Sequence, residues 1–179
     1  MPGGGTWNPR PCLFLILTGI LLFSVATTTM NWVKYVSLRS TFSFDLGLRH
    51  NIAFNYAHGR AITYVLDGAW FDLFDHEGPS IFRSNHFSPM RAFLVPHLYQ
   101  VWPHIVTLFL LQSLLIGLGA LPLFWFGSQR TGALSVGLIL AFSYLLHPAV
   151  LHTAFNDFRE IALGLSPALF ALYFHAERK

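Results

Sequence analysis

Four apolar stretches divide this chain, and their lengths set its architecture. A helix needs about 20 apolar residues to cross the hydrocarbon core of a bilayer. "CLFLILTGILLFSVATTTM", residues 12–30, meets that requirement between Arg10 and Trp32. The charge order would also suit a cleavable signal peptide. The small residues near Ala26 fit that order, but the run continues through a threonine-rich end into an aromatic belt residue without a clear small-x-small site, which favours a span. The second span is expected over residues 105–126, inside a stretch that lacks Asp, Glu, Lys and Arg from Ala92 to Gln129. The third is expected over 132–151. The short "GSQRTG" between them forces an antiparallel helical hairpin. The fourth, 161–175, is slightly short and is interrupted by Pro167. The pattern predicts an all-α fold, a polytopic transmembrane helical bundle of about four spans. Residues 1–179 are read as one membrane-embedded domain, a portion of a longer protein.

Between the first two spans lies a long polar excursion, residues 31–103. In "LGLRHNIAFNYAHGR" the apolar positions Leu48, Ile52, Ala53 and Ala57 follow a helical period, predicting an interfacial helix that ends near Gly59. "AITYVL" followed by Asp67-Gly68 predicts a short extended stretch and a turn. "NHFSPMRAFLVPHLYQVW" predicts a second helix with Ser88 as N-cap, Pro89 in its first position and a bend or break at Pro96.

Composition agrees with the pattern. Hydrophobic residues make up 54% and charged residues 11%, against roughly a quarter charged in soluble domains. The net charge of +3 comes from scattered Lys and Arg without a basic run, so no nucleic-acid partner is expected. Cys12 is the single cysteine, which excludes an intrachain disulfide and a CxxC metal site. The cations beside short loops, Arg10, Arg130, Arg178 and Lys179, all fall on one side of the predicted path. By the positive-inside rule that side is the cytoplasm, so the N-terminus is cytoplasmic and residues 31–103 and 152–160 lie outside.

Candidate chemistry gathers in those two outer segments. Asp45, in "TFSFDLGL", serves either as a helix cap, a role Ser43 would also suit, or as a functional carboxylate. Asp157 and Glu160, in "FNDFREIAL", stand at helical spacing and read either as a capping box or as ligands. Together with Asp45 they would offer hard oxygen donors to Mg²⁺ or Mn²⁺. His86 suits a metal ligand, a proton carrier or a structural role. Arg159 suits an ion pair or a phosphate contact. None of the other histidines forms an HExxH or comparable ligand pair, so no catalytic zinc site is expected.

The ordered strings "FDLGL", "NHFSPM", "VPHLYQVWP", "LLQSLLIGLGALPLFWF", "YLLHPAV" and "NDFREIALGLSPALFALY" resemble the multi-pass membrane family called domain of unknown function twenty seventy-nine. The resemblance runs from about residue 44 to the C-terminus. It departs from the family pattern at "RHNIAFN", where a Gln- and Trp-bearing stretch is usual, and at Arg159, a position often held by His. That family is in turn similar to the GT-C membrane glycosyltransferases. The resemblance implies a polyprenyl-phosphate sugar donor, an extracytoplasmic acceptor and a prokaryotic plasma membrane. It further implies Asp45 as the base, Asp157 and Glu160 as metal or donor ligands, and Arg159 as a phosphate contact, and His86 is taken as a further substrate-binding residue. The alternative expectation is a non-catalytic integral membrane protein, a transporter part or an assembly subunit. Against a transporter stands the absence of Asp, Glu, Lys and Arg from the second and third spans, since transporters place ionisable groups at mid-membrane.

Overall fold

The computed structural model describes residues 9–37, 39, 43–59, 63–66, 69–72 and 94–178. The described residues form a helical membrane bundle with one small β-hairpin. Helix α1, Arg10–Val36, is 27 residues long, which at 1.5 Å per residue gives about 40 Å, more than the hydrocarbon core requires. Its buried residues Ile16, Ile20, Phe23, Ser24, Thr27 and Asn31 form a single stripe. The other side is apolar and uncovered, with Phe14 71% and Leu22 64% exposed, as expected of a face that meets lipid rather than water.

Outside the spans, α2 (Ser43–Ala57) ends at Gly59, whose φ of 64° uses the left-handed region open to glycine. Asp45 therefore sits inside this helix, at its third position, and not at its cap. The expected extended stretch is β1 (Thr63–Leu66), which pairs antiparallel with β2 (Ala69–Asp72), Leu66 opposite Ala69, so residues 69–72 form a strand where the sequence suggested a loop, while the expected turn at Asp67-Gly68 lies outside the described residues. Helix α3 (Val95–Val101) begins at the point where a bend was expected, with Pro96 in its first turn, where a missing N–H costs nothing. Ser88 and Pro89 lie outside the described residues.

The second span is α4 (Val106–Leu118) followed directly by α5 (Ala120–Thr131). Only Gly132, with a φ of 70°, and Ala133 separate α5 from α6 (Leu134–Leu145), so the turn is tighter than "GSQRTG" suggested. Helix α6 and α7 (Pro148–Phe155) meet at a 45° bend. The Pro148 ring forces this break, and His147 N-caps the new helix by accepting the Ala149 N–H at 3.2 Å through Nδ1. The last pair, α8 (Glu160–Leu163) and α9 (Leu165–Glu177), breaks at Gly164 rather than at Pro167. Pro167 falls in the first turn of α9, where proline is tolerated. Two continuous helices are long and apolar enough to span, Arg10–Val36 and Val106–Thr131, and the bent α6–α7 pair makes up to three. Ile161–Glu177 is apolar but shorter than that criterion, so the expected count of four spans is not reached on helix length alone.

Helix α4 is the hub. It packs along α1, where Thr27 Oγ1 donates to Ser113 Oγ at 2.8 Å and Gly117 admits the Ile20 side chain. Interhelical hydroxyl bonds and small residues are the usual means of joining helices in lipid, where apolar burial offers no net gain. One core cluster lies between α1, α5, α6 and α7 around Phe124. A second, around Tyr99, Phe109 and Phe158, joins α2 and α3 to the N-terminal end of α4 and to residues 158–163.

Candidate site at the bundle end

The second cluster places the candidate site. At the C-terminal end of α1, Trp32 lies 5.3 Å from His104, and His104 stacks on Trp102 at 5.9 Å. Aromatic side chains gathered at one level of a bundle mark a membrane–water interface. His104 Nδ1 also accepts the Val106 N–H at 3.2 Å, capping α4. Two of the histidines noticed in the sequence, His104 and His147, thus hold helix starts.

Beside this belt, α2 docks on α3. His50 Nδ1 and Tyr99 Oη lie 2.9 Å apart, and the two rings are 5.6 Å centroid to centroid. Burial lowers the His50 pKa below 6.5, and His104 lowers it further. Burial also raises the Tyr99 pKa, with a smaller contribution from Tyr35, so the phenol keeps its proton and can donate to a neutral imidazole. Above pH 6.5 His50 is neutral in both folded and unfolded states. As pH falls below 6.5 the unfolded state takes up a proton that the folded state refuses, so docking weakens until the folded pKa is passed. Hydrogen exchange of α2 amides, corrected for intrinsic rates, should therefore quicken from pH 7.5 to pH 5. Replacing His50 by Gln should remove most of that dependence, and a pH-independent wild type would contradict it.

The segment between α7 and α8 has its own construction. A helix leaves its last four carbonyls without intrahelical partners. At the end of α7, side chains from other helices take them. Gln112 Nε2 donates to Thr153 O at 3.2 Å and to Asn156 O at 3.1 Å. Asn31 Nδ2 donates to Ala154 O at 2.8 Å, and Lys34 Nζ donates to Phe155 O. From α2, Arg49 Nη1 donates to Phe158 O. In return, Gln112 Oε1 accepts the Arg159 N–H at 2.8 Å.

This construction corrects one expectation. Asn156 and Arg159 have extended backbone, and Arg159 is the N-cap residue of α8 without a side-chain cap bond. Asp157 therefore precedes α8 instead of sharing a helical face with Glu160, and the N-cap position belongs to Arg159. The carbonyls that would have carried the helix onward are held by α1 and α4 instead. Asp157 is buried, 5% exposed, while the Arg159 side chain is exposed. Glu160 opens α8. The side chains of Asp45 and Glu160 are outside the described residues, as is all of His86. Among the described residues no group of three or more His, Cys, Asp or Glu is placed to hold a metal.

The structure brings α2 and the segment between α7 and α8 to one end of the bundle. Arg49, one helical turn after Asp45, holds the carbonyl between Asp157 and Arg159. At the opposite end, Arg130 Nη2 donates to Ala176 O at 3.0 Å and Tyr173 Oη to Gln129 Oε1 at 3.0 Å, tying α5 to α9. Gln112, Asn31 and Lys34 escaped notice in the sequence. The signal was present, since an amide in the apolar run "LLQSLL" must find partners to reside there.

Residues 34–179 match a protein family described as "Predicted membrane protein (DUF2079)". No curated protein and no solved structure matches the chain. The match takes in the C-terminal end of α1, the docked α2 and α3, and every later helix of the bundle, and the chain belongs to this family of membrane proteins.

Proposed function

We propose that the protein is a glycosyltransferase-like enzyme that moves a sugar from a polyprenyl-phosphate donor to an acceptor at the extracytoplasmic membrane boundary. The observation that carries the reading is the bond from Arg49 to the Phe158 carbonyl. It fastens the helix containing Asp45 to the loop containing Asp157 and Arg159, beside the aromatic belt. A lipid-linked donor presents its phosphate at that level while its chain stays in the bilayer. In the transfer, the acceptor oxygen bonds to the anomeric carbon as the bond from that carbon to the donor phosphate breaks. The phosphate departs with the electron pair. Asp45 takes the acceptor proton, and Arg159 offsets charge on the leaving phosphate. His86, outside the described residues, is assigned a substrate contact.

Asp157 and Glu160 offer carboxylate oxygens of the kind that suit Mg²⁺ or Mn²⁺. A cation held there would supply further neutralisation of the phosphate. Positive residues at the other end, Arg10, Arg130 and Arg178, support an orientation with the N-terminus in the cytoplasm of a prokaryotic plasma membrane. The resemblance of the family to the GT-C enzymes is an analogy of architecture, and the function is argued from the site.

The test is a sugar-transfer assay in membranes from cells expressing the protein, using a labelled polyprenyl-phosphate sugar. Transfer above membranes lacking the protein is expected. If an abundant, folded protein gives none with any donor tried, the non-catalytic alternative replaces this reading.

A further inference from the structure

We infer that Gln112 is a positioning residue of this boundary site: from inside the membrane-spanning α4 it sets the conformation of residues 153–159, and with it the placement of Asp157 and Arg159. The inference rests on the transfer reading above and adds a residue to it. Gln112 is fully buried, at 0% exposure. Its amide makes three hydrogen bonds, all to the backbone of one short segment: two donated to the Thr153 and Asn156 carbonyls and one accepted from the Arg159 N–H. Backbone recognition at both ends of a turn fixes the path of that turn whatever its side chains bind.

Asn31 and Lys34 hold the carbonyls between those two ends. The loop is therefore held in place before any ligand arrives, which is how a charged constellation avoids reorganising during reaction. A merely structural amide could have been satisfied within its own helix or by one partner. An amide that spans Thr153 to Arg159 transmits any change in α4 directly to the site.

Two variants separate positioning from folding. Gln112→Met keeps much of the side-chain volume and removes all three bonds. Gln112→Glu keeps an acceptor for the Arg159 amide while setting a carboxyl group against the two carbonyls. Hydrogen exchange on the full-length purified protein should show the Arg159 amide quickened at least about tenfold in Gln112→Met, the scale of one or two lost neutral hydrogen bonds. It should stay as slow as wild type in Gln112→Glu, and α1 and α5 should be unchanged in both.

In the transfer assay, Gln112→Met at wild-type abundance should lose at least about tenfold in kcat with donor KM within about twofold. If Gln112→Met does not accumulate, Gln112→Glu carries the test, with lowered kcat and a still protected Arg159 amide. Unchanged Arg159 exchange in Gln112→Met, rapid Arg159 exchange in Gln112→Glu, or unchanged kcat in an active protein would overturn the inference. A wild type without transfer activity would remove the enzymatic reading, and the exchange data would still decide whether Gln112 sets the loop.

Discussion

Replacing Asp45 by Asn is expected to lower sugar transfer by about 10²- to 10⁴-fold, the usual contribution of a general base, at unchanged membrane abundance. The amide has nearly the volume of the carboxylate but cannot take the acceptor proton. Asp45 lies at the third position of α2, and its helix is anchored through Ala53 and Leu46 in the second core cluster, the His50–Tyr99 contact and Arg49. The substitution leaves those contacts in place. The expected signature is a fall in kcat with little change in α2 hydrogen exchange. Asp157→Asn provides the companion measurement. If that carboxylate holds a cation that offsets charge on the donor phosphate, its loss also reduces transfer, and added Mg²⁺ or Mn²⁺ does not restore it. Transfer at wild-type rates in both variants would remove these carboxylates from the reaction.

The second large effect concerns the frame. Gly137→Leu is expected to destabilise the α5–α6 hairpin by more than about 3 kcal/mol, the upper part of the range for overpacking, because the obstacle is backbone. A Cβ at Gly137 would stand 2.5 Å from the Phe124 carbonyl oxygen and 2.7 Å from its ring. Across the same contact, a Cβ at Gly127 would meet the Gly137 backbone at 3.1 Å. The pair lets two spans approach to a distance that side chains would forbid. Gly47→Ala in α2, with open space around the position, is the control and should be neutral or slightly stabilising, since alanine is the better helix former. Denaturation of the purified protein in detergent or bicelles measures both. Wild-type stability in Gly137→Leu would mean that α5 and α6 do not pack as described.

The apolar runs made most of this architecture legible. Lipid demands long uninterrupted hydrophobic helices, and few other structures need them. The breaks were harder to read. Pro167 signalled an interruption that it does not cause, because a proline in a first turn removes no hydrogen bond, whereas Gly164 three residues earlier carries the break. His147 and Pro148 bend α6 from α7 within what reads as one continuous span.

Asp157 and Glu160 show a different limit. Their spacing suits one helical face, but spacing cannot reveal that Asn31, Lys34, Gln112 and Arg49 capture the carbonyls needed to extend the helix. Those partners come from α1, α4 and α2, distant in sequence. A search restricted to charged residues inside spans passes over Gln112. Counting every hydrogen-bonding side chain in an apolar run would have marked it.

Two polar segments far apart in the chain meet at one end of the bundle, which the proposed function puts at one membrane surface. Single cysteines at Gly47, Arg159 and Gln129 in a Cys12→Ser background, probed with a membrane-impermeant thiol reagent on intact cells and on inverted vesicles, test it most directly. Positions 47 and 159 are expected to react from the same face and position 129 from the other. Labelling of positions 47 and 159 from opposite faces would contradict it.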